Sequence, residues 1–197
     1  MLELGLIVRL QVQRWGLKNP SPVGAVHPRT FDPVALCEVP AILLTPSGVV
    51  GMADEQLVDV HHKDHPATRN AQVNGVSVGF TAHYAAMRER FGAHLRDGIA
   101  GENVIVGTER KVDLTTIADR LVIRTPGGEL VPLEQVQVAE PCVEFTRFAL
   151  CLGHADPSTG DVTEGLRFLR EGIRGFYASY AGSGVVVRAG DMVFVRD

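Results

Sequence analysis

The chain has few cysteines, few aromatic residues and no long apolar run. Its 197 residues include three cysteines, Cys37, Cys142 and Cys151, and one tryptophan. An odd and sparse set of cysteines is unlike a disulfide framework, and free thiols are typical of reducing compartments. No apolar run reaches the ~18 residues that a membrane span needs, and the N-terminal stretch lacks the apolar region of a signal peptide. The sequence therefore predicts a cytoplasmic protein with no membrane association.

Basic charge and nucleotide motifs are also missing. The net charge is −4 and the isoelectric point is about 6.0, whereas nucleic-acid binders carry clustered cations that displace counterions. The chain contains no Walker-type phosphate loop, no dinucleotide fingerprint and no G-x-S-x-G elbow. No lysine stands in a recognisable Schiff-base context. These absences disfavour nucleic-acid binding, nucleotide enzymes, serine hydrolases and the binding of pyridoxal phosphate by this chain.

The residues that are present suit one strand-rich domain over 1–197. Hydrophobic residues make up 45% of the chain, and 21 glycines and 11 prolines without a period indicate many turns. Alternating apolar residues over 4–12 predict an opening strand, and Gly127-Gly128 and Gly182-Ser183-Gly184 predict hairpin turns. Consecutive hairpins favour antiparallel pairing in a closed or half-closed barrel. The other predicted strands are 41–44, 49–50, 104–106, 121–125, 130–131, 136–139, 176–180, 185–187 and 192–195.

Two or three short helices accompany these strands. Thr81 is a possible cap for a helix that runs to about Leu95, and its apolar stripe is typical of core packing. Pro141 suits the first position of a short helix that continues to about Leu150. A further helix is predicted over 163–171.

Cys142 is the residue with the clearest chemical context. It follows Pro141 at a predicted strand-to-helix junction, where helix N–H groups favour a thiolate and Arg147 could add positive potential. A structural role remains open, because free cysteines are often buried. Cys151 lies in an apolar stretch and is predicted to belong to the core.

Polar residues upstream and downstream form the other candidates. The segment His61-His62-Lys63-Asp64-His65 permits three interpretations: a zinc site, a solvated loop, or a set of donors facing an anion. Pro66 disfavours a helical histidine pair. Asn103 ends the turn Gly101-Glu102-Asn103, and Arg174 lies between Gly172 and Gly175, where a backbone could approach a ligand closely.

Four ordered motifs resemble the MOSC family, the domain found at the C-terminus of molybdenum cofactor sulfurases. The motifs are Gly101-Glu102-Asn103-Val104, Pro141-Cys142, Arg174-Gly175-Phe176-Tyr177-Ala178, and the stretch from Gly184 to Gly190-Asp191. Gly48-Val49-Val50-Gly51 and the histidine segment resemble the glycine turn and histidine loop of that family. The resemblance is strongest over 40–197 and indicates a stand-alone bacterial member. One difference is that residues 52–60 are acidic where the family often has a basic residue.

The resemblance implies an antiparallel β-barrel and two activities. In the first, Cys142 ligates the molybdenum of a bound molybdenum cofactor, and the protein reduces N-oxygenated small molecules with electrons from a separate donor protein. In the second, Cys142 carries a persulfide as a sulfur carrier, loaded by a cysteine desulfurase. A non-catalytic barrel that binds a small anion is a third possibility. The proposed cofactor contacts are Lys63, Arg69, Asn103, Arg147 and Arg174, and the proposed substrate-loop residues are His61, His62 and His65.

Overall fold

The computed structural model describes residues 1–118 and 120–196 and is mainly β-structure with four short helices. The strands are β1 (Leu2–Gln13), β2 (Lys18–Pro20), β3 (Arg29–Phe31), β4 (Leu36–Glu38), β5 (Ala41–Thr45), β6 (Gly48–Met52), β7 (Gln56–Val58), β8 (Val76–Phe80), β9 (Val104–Val106), β10 (Leu121–Arg124), β11 (Leu130–Pro132), β12 (Glu134–Val138), β13 (Phe176–Ser179), β14 (Val185–Arg188) and β15 (Met192–Val195). The helices are α1 (Thr81–Phe91), α2 (Leu114–Ile117), α3 (Val143–Ala149) and α4 (Thr159–Leu169). A 3-10 turn covers Pro33–Ala35.

The largest sheet follows the order β11-β10-β15-β1-β9-β8-β13-β12, with β4 also paired to β1. A second sheet has the order β14-β5-β6-β7, and β2 pairs with β3 alone. The long first strand bends through a register shift between Glu3 and Gly5 and another between Ile7 and Arg9, and such bulges let one strand serve several partners. The pairing among the described residues follows an open path, so the closed barrel stays a prediction.

The prediction of uniformly antiparallel pairing is wrong at one position. Strands β8 and β9 pair in parallel, with Val78 opposite Val104 and Phe80 opposite Val106. The chain between them contains α1, and a crossover of this kind is what parallel strands require. The remaining pairs, including the predicted hairpins β5–β6 and β10–β11, are antiparallel.

A second wrong prediction concerns the hairpin at 182–184. Strand β13 pairs with β12 and β8, whereas β14 leaves that sheet and pairs with β5. Gly182 and Gly184 therefore lie in the connection that takes the chain from one sheet to the other. Turn residues indicate where the chain reverses, but the partner of each strand depends on distant apolar faces.

The helix boundaries also differ from the predictions. Helix α1 ends at Phe91 because Gly92 adopts φ +119, a conformation that favours glycine, and Thr81 does not cap it. Helix α3 begins one residue after Cys142, so Pro141 precedes the cap instead of opening the helix. No helix among residues 1–118 and 120–196 is long and apolar enough to cross a bilayer.

Two groups of buried side chains hold this arrangement together. The larger lies between the sheets and includes Leu10, Ile42, Val104 and Phe176, each of which is at most 1% exposed. The second packs α1 and α3 against β9 through Tyr84, Met87, Phe145 and Ile105. The second group fixes the position of α3, and with it Cys142, against α1 and β9.

Candidate functional site

Cys142 caps helix α3 and lines a small cavity. Its Sγ accepts a long hydrogen bond from the backbone N–H of Phe145 at 3.5 Å, and the residue is half-buried. The side chain thus satisfies one of the free N–H groups at the start of the helix. The cavity has a volume of ≈ 140 Å³, and we call it the Cys142 cavity. Its polar side chains are Gln13, Lys18, His61, Arg69, Glu140, Cys142, Arg174 and Tyr177.

Arg174 reaches the cavity from the loop after α4. Its Nη2 donates to the carbonyl of Ala100 at 2.6 Å, its Nη1 lies 3.2 Å from Oε1 of Glu102, and its guanidinium lies 5.6 Å from the ring centroid of Phe145. Gly175 makes this approach possible, since it adopts φ +116 and a Cβ there would lie 2.9 Å from the carbonyl oxygen of Val78. Arg174 therefore presents a fixed positive charge to the cavity.

The partner of Arg174 is a fully buried carboxyl group. Glu102 also accepts a hydrogen bond from the Tyr84 hydroxyl at 2.6 Å. Burial raises the pKa of Glu102, and the Arg174 guanidinium opposes that rise. Burial lowers the pKa of Arg174, but the Glu102 carboxylate together with Tyr177, Tyr84 and Cys142 outweighs this effect, and the net shift is upward. Burial and the nearby Glu102 raise the pKa of Tyr84 well above its ordinary range.

His61 is oriented by a buried aspartate. Its Nδ1 lies 3.0 Å from Oδ1 of Asp59, whose side chain is 0% exposed. Asp59 also accepts from the backbone N–H groups of His61 and Gln13 and from Nδ2 of Asn103. Because this carboxyl group receives hydrogen bonds from several N–H groups, we assign Nδ1 as a donor, which leaves Nε2 of a neutral His61 without a proton.

Arg69 is the cavity cation with the least internal pairing. Its guanidinium packs against Gly16, where a Cβ would lie 2.9 Å from three guanidinium atoms. Among the described residues, no carboxylate lies within ion-pair distance of Arg69. Lys18, by contrast, pairs with Glu144 at 3.1 Å. Burial acts to raise the pKa of Glu144, but backbone N–H donation and Lys18 produce a net lowering.

Several predicted contacts lie away from the Cys142 cavity. The side chain of Asn103 is buried and bonds to Ser77, Asp59 and the carbonyl of Gln11, so its donors and acceptor serve the fold. Arg147 lines a different cavity on the other side of α3. Lys63 is exposed on the outside of its loop.

The rings of His62 and His65 hold their own loop. Nδ1 of His62 accepts from the N–H of Asp64, and Nε2 lies 3.4 Å from the Thr45 hydroxyl. Nδ1 of His65 accepts from the N–H of Ala67, and Nε2 donates to the carbonyl of Arg14 at 3.0 Å. Within 1–118 and 120–196, no group of three His, Cys, Asp or Glu side chains converges as a metal site would require.

Lys18 and Asp59 were not predicted as site residues, and Glu102 and Tyr177 were predicted only as members of motifs. Lys18 lies in a proline-rich stretch with no motif, and only the pairing of β2 with β3 brings it near α3. Asp59 had a readable signal, since a carboxylate two residues before a histidine often orients its ring. The other two cysteines lie elsewhere, and Cys37 is half-buried on β4. The prediction that Cys151 belongs to the core is wrong, because Cys151 is exposed and its Sγ lies 3.5 Å from Nε2 of His94.

Comparisons with known proteins support the fold alone. No protein-family model matches the chain, and no curated protein matches it. Among solved structures, the YUAD protein from Bacillus subtilis is similar with a TM-score of 0.50 and 14% identity over 95% of this chain and 97% of that one. A hypothetical protein is similar with a TM-score of 0.56 and 11% identity over 98% of this chain and 67% of that one. The chain therefore shares an architecture with these structures.

Proposed function

We propose that the chain binds the molybdenum cofactor through Cys142 and reduces N-oxygenated small molecules, as its resemblance to the MOSC family implies. The observation that carries the proposal is that Cys142, Arg69, Arg174 and His61 line one cavity. The Cys142 thiol is half-buried and shares this cavity with the guanidinium groups of Arg69 and Arg174. Thiolate is the ligand type that suits a metal already bound by sulfur.

The residues of the cavity fit the donor set of this cofactor. A molybdenum ion held by a dithiolene brings most of its own ligands, so one protein sulfur is sufficient and no cluster of metal-binding side chains is needed. Arg69 has a guanidinium free to pair with the phosphate of the pterin, and Arg174 adds a second positive charge. When bound, the cofactor supplies the redox chemistry.

The protein side chains then have separate tasks. Cys142 anchors the cofactor, and Arg69 and Arg174 neutralise its negative charge. His61 can exchange a proton through Nε2 while Asp59 holds the ring in place. The sequence contains no Fe–S, haem or flavin motif, so electrons must come from a separate protein.

We also propose that the main sheet is the barrel of the MOSC family. The two ends of the observed strand path are β11 and β12. These strands are consecutive in the chain, and only Leu133 separates Pro132 from Glu134. This adjacency supports closure of the sheet at that point.

The first experiment measures molybdenum in protein purified from a host that synthesises the cofactor. We expect elemental analysis to find molybdenum in the wild-type protein and in Cys151→Ser, and to find none in Cys142→Ser. Arg69→Gln should lower the loading without unfolding the protein. A folded, metal-free wild-type protein from that host would contradict the proposal.

The small volume of the Cys142 cavity favours a second candidate, a sulfur carrier. A space of ≈ 140 Å³ accommodates a persulfide directly, and this function needs an accessible thiol without a metal. Incubation with a cysteine desulfurase and free cysteine should then add one sulfur to Cys142, detected by mass spectrometry. The adduct should persist in Cys37→Ser and Cys151→Ser and vanish in Cys142→Ser.

A further inference from the structure

A second cavity lies against the opposite side of α3. It has a volume of ≈ 320 Å³, which is within the range of small-molecule sites. We call it the Arg147 cavity. Phe31 lines both this cavity and the Cys142 cavity, so the two are neighbours separated by one ring.

Arg147 has donors that the protein does not satisfy. The residue is 6% exposed, and its Nη2 donates to the carbonyls of Gly153 at 2.7 Å and Asp156 at 2.8 Å. Its Nη1 is buried and has no hydrogen-bond partner among the described residues. Nε2 of His27, which lines the same cavity, is likewise buried without a partner. Unpaired donors on a buried cation are costly, so a ligand that accepts from them would be stabilised.

The carboxylates in the cavity wall are already engaged. Asp32 accepts from the N–H of Val34 and from Nδ2 of Asn19, each at 3.0 Å. Glu144 pairs with Lys18 and with Arg29, each at 3.1 Å. Arg147 therefore has no carboxylate within ion-pair distance in the described part of the chain. The Asp156 carboxyl group lies nearby: hydrogen bonds from Ser158 lower its pKa, and Arg147 lowers it further.

Part of the remaining wall is apolar, next to the polar side chains of Thr30 and His154. Phe31, Phe148 and Leu152 line the cavity beside the unpaired donors. A bare inorganic ion would leave this surface unused, whereas an organic anion would contact both parts. An anionic head and an apolar body together match the lining.

We propose that the Arg147 cavity binds a small organic anion, with its carboxylate or phosphate head on Arg147 and His27 and its apolar body on Phe31, Phe148 and Leu152. The inference is independent of the function proposed for Cys142, because Arg147 and His27 do not line that cavity. In this proposal Arg147 binds the organic anion, whereas the sequence predicted that Arg147 would donate to a ligand in the Cys142 cavity.

The test is an NMR titration of the ¹⁵N-labelled full chain with benzoate, with inorganic phosphate and with neutral benzamide. Benzoate should shift the amide signals of Phe148, Leu152 and Gly153 in a saturable manner, and benzamide should bind at least about tenfold more weakly, since it lacks the charge-assisted hydrogen bonds. Comparison of phosphate with benzoate separates recognition of the head alone from recognition of head and body. Phosphate binding as tight as benzoate binding would overturn the assignment of an apolar body.

Variants locate the site. His27→Phe removes an unpaired ring nitrogen without removing a hydrogen bond that the described structure contains, so it should fold and weaken benzoate binding by about fivefold or more. Arg147→Gln should weaken it further, although it also releases the loop at Gly153. Arg170→Gln, which removes an exposed positive charge, is the matched control and should bind like the wild type.

Three results would overturn the proposal. The first is the absence of saturable shifts with both anions. The second is equal weakening in His27→Phe and Arg170→Gln, which would indicate a general charge effect. The third is loss of binding in Arg69→Gln with no change in His27→Phe, which would place the anion in the Cys142 cavity.

Discussion

The Cys142 cavity adjoins a group of buried polar residues whose hydrogen bonds are made within the protein. This group, the buried amide network, consists of Gln11, Gln13, Asp59, Ser77 and Asn103, and its polar groups bond to one another, to the backbone, or to the side chains of Arg9 and His61. In the cavity, the Arg69 guanidinium and Nε2 of His61 have no such partners within the part of the chain that the structure describes. Polar groups whose hydrogen bonds are made within the protein stabilise the fold, whereas polar groups without an internal partner are available to bind a ligand.

Arg174 both lines the Cys142 cavity and pairs with the buried Glu102 carboxyl group, and it gives the largest expected effect. Arg174→Met leaves the Glu102 carboxyl buried without its cation, so the free energy of unfolding should fall by about 3–5 kcal/mol. Arg69→Met removes an exposed guanidinium and should change it by less than about 0.5 kcal/mol. Urea unfolding of both variants measures the difference. Equal losses would show that the two arginines have the same role.

His83 extends the comparison to a histidine with no access to a cavity. Burial lowers its pKa from 6.5 to about 4, and Nε2 accepts from the N–H of Val112 at 2.9 Å. Since the folded-state pKa is depressed, the related stability is present above pH 6.5 and is lost as the pH falls toward 4. The loss is on the order of 3 kcal/mol. Unfolding measured across this range should show a flatter profile in His83→Gln, and an unchanged profile would refute the assignment.

Asn103 tests the buried amide network directly. Asn103→Ala removes the acceptor for the N–H and hydroxyl of Ser77 and a donor to Asp59, so it should lower the free energy of unfolding by about 2 kcal/mol. Asn19→Ala, which removes one exposed hydrogen bond to Asp32, should lower it by less than about 0.5 kcal/mol. Chemical denaturation provides both values. If Asn103→Ala leaves the free energy of unfolding unchanged, Asn103 becomes a candidate ligand contact again.

Cys142 should show the smallest effect on stability and the clearest effect on chemistry. Serine is a good N-cap, so Cys142→Ser should change the free energy of unfolding by less than about 0.5 kcal/mol. Alkylation by iodoacetamide at position 142, followed by mass spectrometry, should occur in the wild type and be absent in the variant. A large loss of stability would instead assign the thiol to the core.

Local features of the fold could be predicted from the sequence, and long-range ones could not. The hairpins β5–β6 and β10–β11 and the strand β9 were predicted correctly, because their apolar patterns and turn residues are contiguous. The pairing of β14 with β5 and the parallel pair β8–β9 were not predicted, since each joins segments far apart in the chain. Such pairings depend on which apolar faces meet, and no local pattern records that.

The sequence by itself determined the short elements, the turns and the residue types that could carry chemistry, Cys142 and Arg174 among them. Only the tertiary structure decided which polar side chains keep hydrogen-bonding groups that the protein itself does not satisfy. Asn103, His62 and His65 resemble ligand contacts in the sequence, yet hydrogen bonds within the protein occupy them. Asn103 bonds to groups from distant segments, and Nδ1 of each histidine accepts from a backbone N–H of its own loop. Arg147 and Arg174 look alike in the sequence but line different cavities, which the ring of Phe31 separates. A hydrogen bond depends on positions in space, so its presence or absence at a side chain is settled only when the chain has folded.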